Sequence, residues 1–199
     1  MAYRETDLVR QRKVAQKSGL LHTAETLVRK GGFGALTIQA VAEGAGVGVG
    51  TVYRYFSGKD ELATEVFKRA TSREVSAVRE VLNGSGGPTA CLAAAAEVFA
   101  VRAFAAPKLA WALIAEPVDP AVDLARLQYR KTYTALFETV VQAGIANGEF
   151  APQSAGLSAA ALVGAMAESL LGPLDNRACD ADTIAALRLF CLRAVGAQC

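Results

Sequence analysis

Residues able to make or break bonds are scarce in this chain of 199 amino acids. It holds one histidine, His22, so a histidine-based triad or a histidine-rich metal site has almost nothing to use. Gly156-Leu157-Ser158-Ala159-Ala160 misses the final glycine of a G-x-S-x-G nucleophile elbow. Gly44, Gly46, Gly48 and Gly50 alternate, but they do not match G-x-G-x-x-G and no strand precedes them. Gly58-Lys59-Asp60 lacks the Ser or Thr that a phosphate-binding loop places after its lysine. Cys91, Cys179, Cys191 and Cys199 fall in no C-x-x-C spacing, which argues against a metal centre and fits free thiols in a reducing cytoplasm. These residues speak against an enzyme and imply no cofactor. The chemistry left to the chain is recognition.

Charge shows where that recognition lies. Residues 1–59 carry nine Lys/Arg (Arg4, Arg10, Arg12, Lys13, Lys17, Arg29, Lys30, Arg54, Lys59) against Glu5, Asp7, Glu25 and Glu43. That is a local charge of +5 inside a total of only +2, so the remainder sums to −3. A basic segment of this kind can neutralise phosphates and release their counterions. With 52% hydrophobic and 20% charged residues, the chain has ample material for a core and is not disordered.

The elements that must position these residues read as helices nearly throughout, since no run alternates with period two for long enough to suggest a sheet. Residues 1–12 read as a frayed arm. A first helix is expected over 13–30, with Leu20, Leu21, Ala24, Leu27 and Val28 on its apolar face and Gly31-Gly32 stopping it. Thr37 is a fitting N-cap for a short helix over 38–43, and Gly44-Ala45-Gly46-Val47 is a tight turn. A third helix over 49–56 and a long fourth over 59–82 follow, before the linker Asn83-Gly84-Ser85-Gly86-Gly87-Pro88. Two short helices joined by a glycine turn and braced by a longer one form a helix-turn-helix. Its second short helix has an outer face free to enter a major groove.

The residues at the heart of this pattern resemble the TetR family of bacterial transcriptional regulators. Leu36-Thr37-Ile38-Gln39-Ala40-Val41-Ala42, Ala45-Gly46-Val47, Gly50-Thr51-Val52-Tyr53, Tyr55-Phe56 and Lys59-Asp60-Glu61-Leu62 carry the likeness, within about residues 14–65. The resemblance implies that Thr37 holds a phosphate, that Tyr53 and Tyr55 aim phenols at the DNA backbone, and that Lys59 adds a cation. It places Gln39, Val49, Gly50, Thr51 and Arg54 where the family reads bases. Gly48 stands where the family usually has Ser or Thr as the N-cap, a departure that glycine tolerates at a few tenths of a kcal/mol.

The expected architecture is therefore all-α, about nine helices in two parts. Residues 1–58 would form a three-helix DNA-binding head with its arm, and 59–199 an effector-binding and dimerising domain. Helices are expected over 89–106, 108–115, 120–147, 153–171 and 180–195, with Gly172-Pro173 ending the fourth of these. The stretch 155–174 is long enough to cross a bilayer, but it lacks anchors and carries Glu168, which favours a buried interface helix. On that helix Gly156, Ala160, Gly164 and Glu168 share a stripe, and with Ile184, Leu187 and Cys191 they are the expected dimer interface. The resemblance implies a homodimer on a palindromic double-stranded DNA operator, in the cytoplasm, released by a small and largely apolar effector. Candidate pocket residues are Phe99, Arg102, Phe104, Trp111 and Glu116, and on the following helix Arg126, Tyr129, Arg130, Tyr133 and Phe137. A DNA-binding protein without an effector is the alternative.

Overall fold

The computed structural model describes residues 7–176 and 181–197. Within them the chain forms α1 (Asp7–Gly31), a 3-10 turn (Phe33–Ala35), α2 (Ile38–Gly44), α3 (Val49–Tyr53) and α4 (Lys59–Leu82). There follow α5 (Gly87–Ala105), α6 (Pro107–Ile114), α7 (Pro120–Ala146), α8 (Ala155–Asn176) and α9 (Ala181–Ala194), with no strand among the described residues.

Two hydrophobic cores divide the fold, and α4 belongs to both. Its first half sends Leu62, Val66, Phe67 and Ala70 into the head core beside Leu20, Val28, Val41 and Val52. Its second half sends Val75, Val78 and Leu82 into the larger core with α5, α7, α8 and α9. The head core does not end at the head: Leu109 and Ala112 of α6 and Val122 of α7 complete it. A helix of 24 residues spans about 36 Å, enough to run the length of both layers.

Three boundaries differ from expectation. Residues 7–12 are the start of α1 rather than a frayed arm, although Leu8 and Val14 remain exposed. Leu8, Arg10, Gln11 and Arg12 are good helix formers, which lets the helix begin this early. The arm's first six residues lie outside the described ones. α3 ends at Tyr53, and Tyr55 and Phe56 instead turn back by donating to the Val52 carbonyl at 3.0 and 3.1 Å, which buries Phe56. α8 passes through Gly172-Pro173 to Asn176. Proline there costs one backbone bond near the helix end, while Leu170 and Leu174, both buried, hold the last turns on the core.

Two described helices, α5 and α8, are long and apolar enough to cross a membrane by length and composition. In the fold, α5 buries Leu92, Ala95, Ala96 and Ala100, and α8 buries Ala159, Leu162, Met166 and Leu170.

Candidate nucleic-acid interface and internal cavity

The helix-turn-helix is held rigidly enough to present its outer side. Thr37 caps α2 by accepting the Ala40 N–H at 3.0 Å, and Gly46 makes the turn in the left-handed region at φ 66°. Gly44 lets α1 and α2 approach, since a Cβ there would stand 2.7 Å from Thr23 Cγ2. On the outward face Val49, Gly50, Tyr53 and Arg54 are exposed, Gly48 and Gly50 have open space around them, and Thr51 is half-buried. Arg54 and Lys59 form no ion pair among the described residues, so both cations are available to an anion.

Besides the Thr37 cap, two of the expected contacts are already engaged within the chain. Gln39 donates to Glu43 Oε1 at 3.0 Å along α2. Tyr55 donates to Gln16 Oε1 at 2.9 Å, which ties the end of the reading unit to α1. The start of α4 is anchored separately: the Ser57 N–H and hydroxyl both donate to Glu61 Oε2 at 2.7 Å, lowering the pKa of that carboxyl.

Two carboxylates join the head to the rest of the molecule. Glu25 of α1 is buried and receives Arg73, with Arg69 Nε at 3.6 Å and Arg29 at 4.0 Å. This pins α1 to α4. Glu116, expected in a ligand pocket, has another task. Its carboxylate accepts the N–H of Phe33 at 2.7 Å and of Gly34 at 3.0 Å, clasping the 3-10 turn of the head. Gly32 makes room for it: φ is +72°, and a Cβ there would lie 2.7 Å from Glu116 Oε2. Arg126 in turn holds the chain around Glu116, donating to the carbonyls of Leu113, Ala112 and Glu116 at 3.0, 3.2 and 2.8 Å.

A cavity of about 300 Å³ lies between the two cores. Phe67, Phe99, Leu109, Leu113, Val163 and Met166 supply its apolar wall. Of the expected pocket residues, Phe99, Arg102, Arg126, Tyr129, Arg130 and Tyr133 line it. Phe104 and Phe137 do not: they are buried in the larger core, where a helix-period aromatic most simply belongs. Trp111 faces solvent at 37% exposure. Tyr129 is fixed by Ser72 Oγ at 2.6 Å and by donating to the Lys68 carbonyl at 3.1 Å. Burial pushes the Tyr133 phenol well above its ordinary range, so it enters the cavity wall neutral. Arg29 also lines the cavity. Arg29 belongs to α1, and no spacing in the sequence connects it to helices some eighty residues or more away.

The expected dimer residues separate into two groups. Ala160, Gly164 and Glu168 are exposed on α8, and Gly156 and Ile184 are half-buried. Leu187 and Cys191 are buried in the protomer's own core, because α9 turns that side towards α5; they are not on a surface a second copy can cover. The outer side of α9 instead carries Leu189 and Phe190, both exposed.

Comparison with known proteins follows the same division. Residues 20–66 match the model for the bacterial regulatory proteins of the tetR family. Over 69 residues the chain is 38% identical to the HTH-type transcriptional repressor KstR of Rhodococcus jostii, covering 35% of this chain and 32% of that one. The chain thus matches about a third of the length of the curated relatives. The fold extends further. A TetR transcription regulator from Haloarcula marismortui superposes with a TM-score of 0.78 at 20% identity, over 92% of this chain and 97% of that one. FadR from Bacillus subtilis, solved in complex with stearoyl-CoA, does so with 0.76 at 18% identity, over 89% and 97%.

Proposed function

From the premise that the chain belongs to the tetR family of bacterial regulatory proteins, we propose that it is a cytoplasmic DNA-binding transcriptional repressor whose grip on DNA is set by a small molecule in the internal cavity. The observation that carries this reading is Phe67. It is 1% exposed, stands in the core of the DNA-binding head, and also lines the cavity. A ligand that displaces Phe67 or tilts α4 acts on the head without an intermediary.

A homodimer presents two heads, and two-fold symmetry asks for a palindromic operator with half-sites one or more helical turns apart. Within each half-site Thr37, Tyr53 and Lys59 serve the phosphates, whereas Arg54, with Gln39 if it leaves Glu43, reads base edges. Val49 offers an apolar contact to a thymine methyl, and Gly48 and Gly50 let the backbone approach closely. The effector has a substantial apolar part, as the cavity wall asks; the regulator of similar fold from B. subtilis binds stearoyl-CoA. Release requires only that the effector prefer the dimer whose heads are mis-spaced, typically by 1–3 kcal/mol.

Selection of bound duplexes from a random pool at moderate salt tests the reading. Recovery of a palindrome is the expected result. Recovery of sequence-independent, salt-sensitive binding alone would sink the assignment as an operator-specific repressor.

A further inference from the structure

The cavity has more positive charge on its walls than its surroundings neutralise. Arg29, Arg102, Arg126 and Arg130 line it, against a single lining carboxylate, Glu74. Arg102 takes Glu74 in a two-pronged pair at 2.6 and 3.0 Å, so neither is available to a ligand. Three guanidiniums remain. Arg126 pairs with Asp123 at 2.6 Å, a carboxylate whose side chain is 53% exposed, and Glu116 adds a weaker attraction without a direct ion pair. Arg29 reaches Glu25 only at 4.0 Å, while Arg73 and Arg69 hold the same carboxylate more closely. Arg130 has no ion pair among the described residues.

Position sorts the three by role. The Arg29 side chain is 49% exposed and Arg130 is exposed as well while both line the cavity, so they form its rim; that of Arg126 is 14% exposed and lies deeper. Cations set against an apolar wall are unfavourable unless an opposite charge arrives to complete them. The apolar wall of Phe99, Leu109, Leu113, Val163 and Met166 meanwhile accepts a hydrocarbon body.

We infer that the effector is an amphiphile with an anionic group, a carboxylate or a phosphate, which Arg29 and Arg130 hold at the rim and Arg126 attracts from within. The inference rests on the reading of the cavity as the effector site. Its consequence is direct contact between ligand and head, because Arg29 is part of α1. An anion there competes with Glu25 for Arg29. An anion that draws on Arg126 competes with the carbonyls of Ala112, Leu113 and Glu116, and so works on the segment that places the Glu116 clasp on Phe33 and Gly34.

The test compares three probes of one chain length: a medium-chain fatty acid, the alkyl phosphate and the primary alcohol. Binding is measured by calorimetry and release by anisotropy of a labelled duplex taken from the random-pool selection. At least one anion is expected to bind about tenfold more tightly than the alcohol, and whichever anion is tighter identifies the headgroup. R29Q and R130Q should each bring the anion's affinity down to the alcohol's while leaving the alcohol unchanged, and R29K should restore the preference. Circular dichroism of both variants checks that the fold persists; both side chains are exposed enough to make that the expected outcome. An alcohol that binds as well as both anions, or an anion preference that survives in either glutamine variant, overturns the inference and leaves the cavity as an effector site. Binding of none of the three probes overturns that broader reading and this inference together.

Discussion

Arg54 and Lys59 lie five residues apart and illustrate how two cations on one head divide their work. Arg54 follows α3 on its exposed side, where a guanidinium can take two acceptors of a guanine edge. Lys59 opens α4 as a point charge for the phosphates. Arg54→Ala should therefore cost about 1–3 kcal/mol on the selected operator and little on random DNA. Lys59→Ala should weaken both about equally and lower the salt slope by roughly one. Parallel losses for the two variants on both DNAs would sink the division. Cys191 gives a residue-scale prediction of stability. Burial pushes its thiol from 9.0 up to about 12, so above pH 9 the unfolded chain loses this proton before the folded one does. Below that pH the stabilisation is fully present, and it fades as pH rises towards 12, with a slope of up to about 1.4 kcal/mol per unit from this group. Chemical denaturation of Cys191→Ala beside the parent across that range should show the parent falling more steeply. At this scale the proposed contacts of Gln39 with a base edge and of Tyr55 with the DNA backbone were legible only in type. Their bonds to Glu43 and Gln16 arise from side-chain geometry that residue order does not encode.

The helices show which kinds of boundary are local. α4 begins at Lys59 and ends at Leu82 where its flanking glycines and Asn83 place it, and α2 begins directly after Thr37. Caps and glycine turns act through the backbone of a few residues, so spacing reveals them. α8 disobeys Gly172-Pro173 because its end is decided by the burial of Leu170 and Leu174, a tertiary effect that outweighs one missing bond. A close approach of the same tertiary kind occurs where α7 ends. Gly144 faces Phe150, and a Cβ on Gly144 would stand 2.1 Å from that ring. Gly144→Ala must push Phe150, itself 3% exposed, out of its packing. We expect a loss of about 1–3 kcal/mol in urea unfolding. A variant as stable as the parent would show that this corner repacks freely.

For the whole molecule, the open surface on α8 and α9 is the feature a single copy leaves unresolved. Leu157 is 71% exposed, Leu189 and Phe190 are exposed as well, and Gly164 has open space around it. A second copy covering this face would account for it. Phe190→Glu should then shift the protein to monomer in sedimentation and cost it the palindrome while leaving weak half-site binding. A dimer that persists unchanged would move the interface elsewhere. The all-helical class, the order of the helices, the helix-turn-helix and its exposed basic residues could be read from the chain alone. Periodicity, caps and glycine turns are properties of neighbours in sequence. Only the tertiary structure decided that Glu116 clasps Phe33 and Gly34, that Arg29 of the head lines the cavity, and that Leu187 and Cys191 turn inward. An apolar or charged stripe says that a helix face needs a partner, but which partner depends on how helices distant in sequence cross, and that is settled by packing the whole chain at once.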